Sequence, residues 1–207
     1  MAAAPSSSST MVVEAGKLDS GWTIWYDKKE SRRLGSAEFR QRLQKIGSFD
    51  TVEGFWRIYL FLKRPSQLEE NINLYLFRES APAPMWESFP RGGCWILKVK
   101  KKTEGFSVLG KLWQDMILAL IGEQFEEPDV MGCSISIRKN EDLISIWNNA
   151  GTSEIRMKIG QKLKEILDLE PSTVIEYKAH ADSMRDLSSF RGAKPFVYAA
   201  AVAGTKG

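Results

Sequence analysis

The stretch of this sequence best equipped for chemistry is Pro84-Met85-Trp86-Glu87. Its neighbours are Ala81, Pro82, Ala83, Ser88, Pro90, Arg91, Gly92 and Gly93. That is loop composition, so Trp86 is expected in a loop beside a carboxylate. Trp86 offers a π-face and Glu87 a pair of acceptor oxygens. Two acceptors suit the N1–H and N2–H₂ edge of a guanine. A cationic, alkylated guanine over an electron-rich ring gains cation–π attraction besides stacking. The competing reading is that Trp86 plugs the end of a sheet and Glu87 is solvated. The residues alone leave both open. The chain holds 7 Trp among 207 residues, which favours stacking or interface roles for some of them. Roughly half or more should still be core, because Trp is highly buried on average.

Other chemistries find no support. No GxGxxG, P-loop, GxSxG or HExxH pattern occurs. His180 is the single histidine and has no nucleophile near it in sequence, so a structural or surface role fits it better than catalysis. Cys94 and Cys133 stand far apart in apolar settings with no metal-ligand spacing, which excludes a zinc site and fits free thiols in a reducing compartment, with a single disulfide between them as the alternative. No metal or cofactor is expected. Lys+Arg 29 against Asp+Glu 26 leaves a net charge of +3. A contact with RNA is therefore expected to be a local pocket rather than a broad basic surface. No apolar run approaches a membrane span, and the start MAAAPSSSST has neither a charged n-region nor an apolar h-region. The expected location is the cytoplasm.

These candidates need a scaffold. Residues 1–17 are Ala- and Ser-rich and are read as a disordered tail, with a second loose end over 199–207. Between them, 18–198 reads as one domain. Trp22–Tyr26, Leu74–Phe77, Trp95–Lys100, Ser134–Arg138, Leu143–Trp147 and Thr173–Tyr177 read as strands, and Phe196–Tyr198 as a closing strand. Asn140-Glu141-Asp142 is read as the turn of a hairpin. Helices are expected from Asp50, as N-cap with Glu53, to about Lys63; over Leu109–Ile121, ended by Gly122; and over Ser153–Leu167. The fold class is α+β: a mainly antiparallel sheet, with about three long helices on one face and the other face free for a ligand.

Eight stretches then resemble one family in order and spacing. SGWTIWY, SFDTVEGFWRIY, PMWE, RGGCW, LIGEQF, SISIR, LISIWN and EYKAHAD are similar to the eukaryotic translation initiation factor 4E family of cap-binding proteins. The resemblance runs from about Leu18 to Tyr198. IGSFDTVEGFW, LIGEQF and EDLISIWN look most like its class-II branch, the 4E-homologous proteins. It implies a curved antiparallel sheet with three helices on the convex back and a slot for the 7-methylguanosine cap of mRNA on the concave face.

Carried over residue by residue, the resemblance makes Trp86 one stacking ring and Glu87 the reader of the guanine edge. Trp147 becomes the contact to the N7-methyl group. Counting back from Trp56 places Phe39 at the second stacking ring, where the main branch has Trp. Arg138 matches the family's phosphate-pairing arginine, and Lys139 lies beside it. Cys94 and Leu143 stand where basic residues are usual. Each missing charge-assisted contact is worth about 1–3 kcal/mol if nothing replaces it, so weaker cap binding than in the main branch is expected. Arg91, Lys139, Arg185 and Arg191 are candidate replacements.

A second site is implied on the back. Val52 and Trp56 match residues that bind a short helical motif of scaffold or inhibitor proteins, and Gln114 and Asp115 lie near the end of that surface. From the residues alone, core is the better reading of Trp56; the resemblance turns it into a partner-binding residue. The remaining Trp22, Trp25, Trp95 and Trp113 are assigned to core or sheet packing. The expected function is cap binding in translation initiation or its regulation, by a monomer, with no bond made or broken. The alternative is a repressor adaptor that works through its back surface with little cap affinity.

Overall fold

The computed structural model describes residues 16–29, 35–101, 108–150 and 152–195. Among them, eight strands form one curved sheet: β1 (Lys17–Lys28), β2 (Gln44–Thr51), β3 (Ile72–Arg78), β4 (Gly93–Lys100), β5 (Val130–Ser136), β6 (Glu141–Asn148), β7 (Ile175–Ala179) and β8 (Lys194–Pro195). Their order is β2-β1-β3-β5-β6-β4-β7-β8, and every pairing is antiparallel. The helices are α1 (Ser36–Arg42), α2 (Val52–Tyr59), α3 (Leu109–Ile121), α4 (Ser153–Ile166) and α5 (His180–Asp186).

The two-residue period of a strand divides each strand between two environments. Trp22, Ile24, Leu74, Leu76, Trp95, Leu97, Cys133, Ile135, Ile144, Ile146 and Ile175 face the helical layer. There they meet Phe55 and Tyr59 of α2, Trp113, Met116, Ile117 and Leu120 of α3, and Ile159 and Leu163 of α4. Each such fully buried side chain stabilises the fold by about 1.5–3 kcal/mol. The intervening residues Tyr75, Phe77, Cys94, Ile96, Leu143 and Trp147 form a separate cluster with Leu43 and Phe89 on the opposite face. The α+β plan with α2, α3 and α4 on one face therefore holds. Trp22, Trp95 and Trp113 are buried, as expected of packing residues. Close packing of α4 on β4 needs Gly160, since a Cβ there would sit 2.8 Å from the Trp95 indole.

Several local expectations change. The second helix is capped by Thr51, whose Oγ1 accepts the Gly54 N–H at 3.0 Å, and ends at Tyr59. Asp50 cannot cap it because β2 continues through Thr51. Gly54 makes room for the Thr51 cap, since a Cβ there would lie 2.9 Å from Thr51 Oγ1 and 3.1 Å from Phe49 Cβ. Glu141 and Asp142 open β6 rather than form the turn; the Asp142 carboxylate accepts the Arg138 N–H at 3.0 Å and closes the hairpin. Trp86–Ser88 is a single 3₁₀ turn rather than open loop. Lys17 already belongs to β1. The expected strand Phe196–Tyr198 lies outside the described residues, as do most of both expected tails.

Candidate functional site

The face away from the long helices holds a cavity of about 300 Å³. Its floor is made by the outward residues of five adjoining strands: Asp27, Asn73 and Tyr75, Ser134 and Ser136, Leu143, Ser145 and Trp147, and Cys94. Its walls come from α1, from the segment carrying Trp86, and from the residues after α5. Phe39, Trp86, Glu87, Trp147 and Arg138, distant in sequence, all line it.

Phe39 sits half-buried on α1, a short helix rather than a loop. Trp86 is half-buried while Glu87 is exposed, and Glu87 has no hydrogen-bond or ion-pair partner among the described residues. Its acceptors are thus open to a ligand. Trp147 is buried at 6% exposure. Its ring is held edge-on to Phe77 at 5.4 Å, and its Nε1–H donates to Ser134 Oγ at 3.0 Å. Behind it lies His180, fully buried, 4.6 Å from the Trp147 ring, with Nδ1 2.9 Å from the Phe89 carbonyl. Burial pushes the His180 pKa down to about 4, against the opposing effect of the Phe89 bond. His180 is therefore a neutral structural histidine at neutral pH.

The charged part of the floor was only partly anticipated. Arg138 is half-buried, with Nε and Nη1 shielded from water and without partners among the described residues. Burial lowers its pKa, while Tyr75, Asp27 and Asp142 act in the opposite direction. Asp27, 1% exposed, accepts from Arg42 Nε through Oδ1 and from Asn73 Nδ2 at 2.7 Å through Oδ2. Arg42 also lies over Phe39, 5.6 Å from the ring centroid. Burial and the negative charge of Asp27 hold the Tyr75 hydroxyl above the ordinary tyrosine range. No local sequence signal marks Asp27 as buried, since it stands between Tyr26 and the charged Lys28 and Lys29.

Among the expected replacement cations, Arg191 lines the cavity. Lys139 is exposed and stands outside the lining, as does Arg91. Arg185 pairs with Asp182 on the surface of α5. Lys29 and Arg42 line the cavity and were not anticipated. Cys94 and Leu143 are buried in its floor, and burial raises the Cys94 thiol to about 12. The chain after α5 is tied down by Lys178, whose ammonium binds Asp186 Oδ2 at 2.6 Å and the Arg191 carbonyl. Ser188 Oγ accepts the Arg191 N–H at 3.0 Å. This folded turn sets Leu187–Arg191 against the cavity.

On the opposite side, Val52 and Trp56 are exposed at 41% and 36%, while Phe55 and Tyr59 point into the core. Trp56 is thus a surface residue, resting edge-on against Phe55 and Tyr59. Gln114 accepts from the Tyr59 hydroxyl at 3.4 Å, joining α3 to α2. Asp115 is engaged with Lys111 at 2.6 Å on its own helix.

The family model of eukaryotic initiation factor 4E matches residues 17–195. The rice (Oryza sativa subsp. japonica) eukaryotic translation initiation factor NCBP is 37% identical over 174 residues, 82% of this chain and 74% of that protein. Eukaryotic translation initiation factor 4E-4 of Caenorhabditis elegans is 34% identical over 179 residues, 84% of this chain and 82% of its own length. Among solved structures, C. elegans eIF4E-3, in complex with the 4E-binding protein Mextli and a cap analog, superposes with a TM-score of 0.75. It is 28% identical and covers 89% of this chain and 99% of that one. Ascaris suum eIF4E-3 in complex with the m7G cap gives a TM-score of 0.73 at 30% identity, covering 89% and 97%. Sequence and backbone agree: the chain belongs to the eukaryotic initiation factor 4E family.

Proposed function

We propose that the concave cavity binds the 7-methylguanosine cap of messenger RNA. The carrying observation is that Phe39, Trp86, Glu87, Trp147 and Arg138 converge on one cavity in a chain of this family. Phe39 and Trp86 stack the methylated base from its two faces. The open carboxylate of Glu87 accepts from the guanine N1–H and N2–H₂. Trp147, braced by Ser134, sits against the N7-methyl group. The half-buried guanidinium of Arg138 pairs with the phosphates, and exposed Lys139 contributes charge nearby. The m7G complex of Ascaris suum eIF4E-3 supports this use of the fold.

The reading is one of recognition without catalysis, by a monomer acting in the cytoplasm in translation initiation or its regulation. The back of α2 is the partner side. There Val52 and Trp56, with Asp115 on α3, receive a short helical segment of a scaffold or inhibitor protein. The complex of C. elegans eIF4E-3 with Mextli supports a protein partner. Trp56→Ala is expected to abolish capture of such a peptide while leaving nucleotide binding unchanged.

Tryptophan fluorescence tests the cap reading. Titration with 7-methyl-GTP should quench emission saturably, unmethylated GTP should bind at least tenfold more weakly (about 1.4 kcal/mol), and Trp86→Ala should lose the response. Equal responses to both nucleotides would remove the reading.

A further inference from the structure

Two guanidinium groups meet the floor of the cavity, and only Arg138 has a place in the reading above. The other, Arg42, occupies the last position of α1 and lines the same cavity. Its Nε is committed to Asp27, but its Nη1 is shielded from water and has no partner among the described residues. Arg138 shows the same pattern at Nε and Nη1. A buried N–H without an acceptor is costly, and both guanidinium groups belong to residues that line the cavity, the side-chain type best suited to gripping phosphate oxygens. Arg42 and Arg138 both lie near enough to the Tyr75 hydroxyl to influence it electrostatically. All three residues line the one cavity.

The anchoring of Arg42 is equally specific. Helix α1 contributes no buried residue of its own. The Asp27–Arg42 pair, with the two side chains 1% and 18% exposed, ties that helix to β1. Asp27 has both oxygens occupied, one by Arg42 and one by Asn73. Its charge is offset by Arg42, and Arg138, Lys29 and Arg191 add positive charge around the same cavity.

We propose that Arg42, held at the cavity wall by Asp27, is a second phosphate-binding residue, so that Arg42 and Arg138 grip one polyphosphate chain. This rests on the cap reading for the identity of the base, and it offsets the weakening expected from Cys94 and Leu143. Arg42 has two possible roles, gripping phosphate or merely fixing α1 and Phe39, and they differ in how its loss depends on ligand.

The test measures affinities of the full chain for 7-methylguanosine, 7-methyl-GMP, 7-methyl-GDP and 7-methyl-GTP, in the wild type, Arg42→Met and Arg42→Lys. Wild-type affinity should rise with each added phosphate. Arg42→Met should bind the nucleoside as the wild type does and lose about tenfold for the triphosphate, the scale of one charge-assisted contact. Arg42→Lys should fall between them. A full phosphate-dependent gain retained in Arg42→Met overturns the proposal. So does an equal loss for nucleoside and triphosphate, which would make Arg42 only a brace for Phe39. Should Arg42→Met fail to fold, Arg42→Lys decides by the same comparison. A wild type that does not distinguish 7-methyl-GTP from GTP overturns the base slot alone. The series guanosine, GMP, GDP and GTP then reads the role of Arg42 independently.

Discussion

The indole Nε1–H of Trp147 donates to Ser134 Oγ at 3.0 Å, between neighbouring strands β6 and β5. Both residues line the cavity, and the bond is buried. It fixes the orientation of a ring that would otherwise bury an unpaired donor. Ser134→Ala should lower stability by about 1–3 kcal/mol, the cost of that orphaned N–H. Urea unfolding of the two proteins checks this, and a change near zero would mean that the indole finds another acceptor.

Phe39 is the smaller of the two rings assigned to stacking. The indole is the stronger partner for a cation, and Phe39 is only half-buried. Phe39→Trp is expected to tighten 7-methyl-GTP binding several-fold and leave GTP binding nearly unchanged. Calorimetric titration with both nucleotides measures the split; a parallel gain for GTP would show that the ring senses no methylation charge.

His180 makes stability depend on pH. Its folded pKa is about 4 because burial penalises the charged ring, against an unfolded value near 6.5. Above the unfolded value both states are neutral and His180 adds no slope. Between the two values the unfolded chain takes a proton that the folded chain refuses, so stability falls as pH drops through that window. The loss should reach about 3 kcal/mol by pH 4. Denaturation midpoints at pH 7 and pH 4.5 should therefore converge in His180→Gln relative to the wild type. Equal shifts in both proteins would assign the acid sensitivity to other groups.

Lys178 is buried at 2% exposure and holds the turn after α5 through Asp186 and the Arg191 carbonyl. Lys178→Met should cost about 3 kcal/mol, the low end for breaking a buried pair, because Asp186 remains partly solvated. Hydrogen exchange should accelerate at the Phe190 and Arg191 amides, whose acceptor is Ser188 Oγ. Exchange unchanged in that turn would show that Ser188 holds it without the lysine.

Much of the scaffold was legible because its signals are local. Leu109–Ile121 is bounded as its apolar period and Gly122 predict, and the β5–β6 hairpin follows from alternation. The misplaced boundaries have tertiary causes: pairing with β1 carries β2 through Thr51 and displaces the cap from Asp50. Trp56 is ambiguous in sequence because helical spacing marks an apolar face without saying which edge of it stays uncovered.

The sequence by itself determined the alternation that sends Leu74 and Leu76 to one face and Tyr75 and Phe77 to the other. It also carried the motifs that mark Trp86, Glu87, Trp147 and Arg138. Only the tertiary structure decided which cations share their cavity. Lys139 follows Arg138 directly yet stays outside, whereas Arg42 enters because Asp27, 15 residues away, is buried and needs a counter-charge. Strand parity is a property of neighbouring residues. Charge pairing across a sheet depends on which strands become neighbours, and that is set when the whole sheet closes over its core.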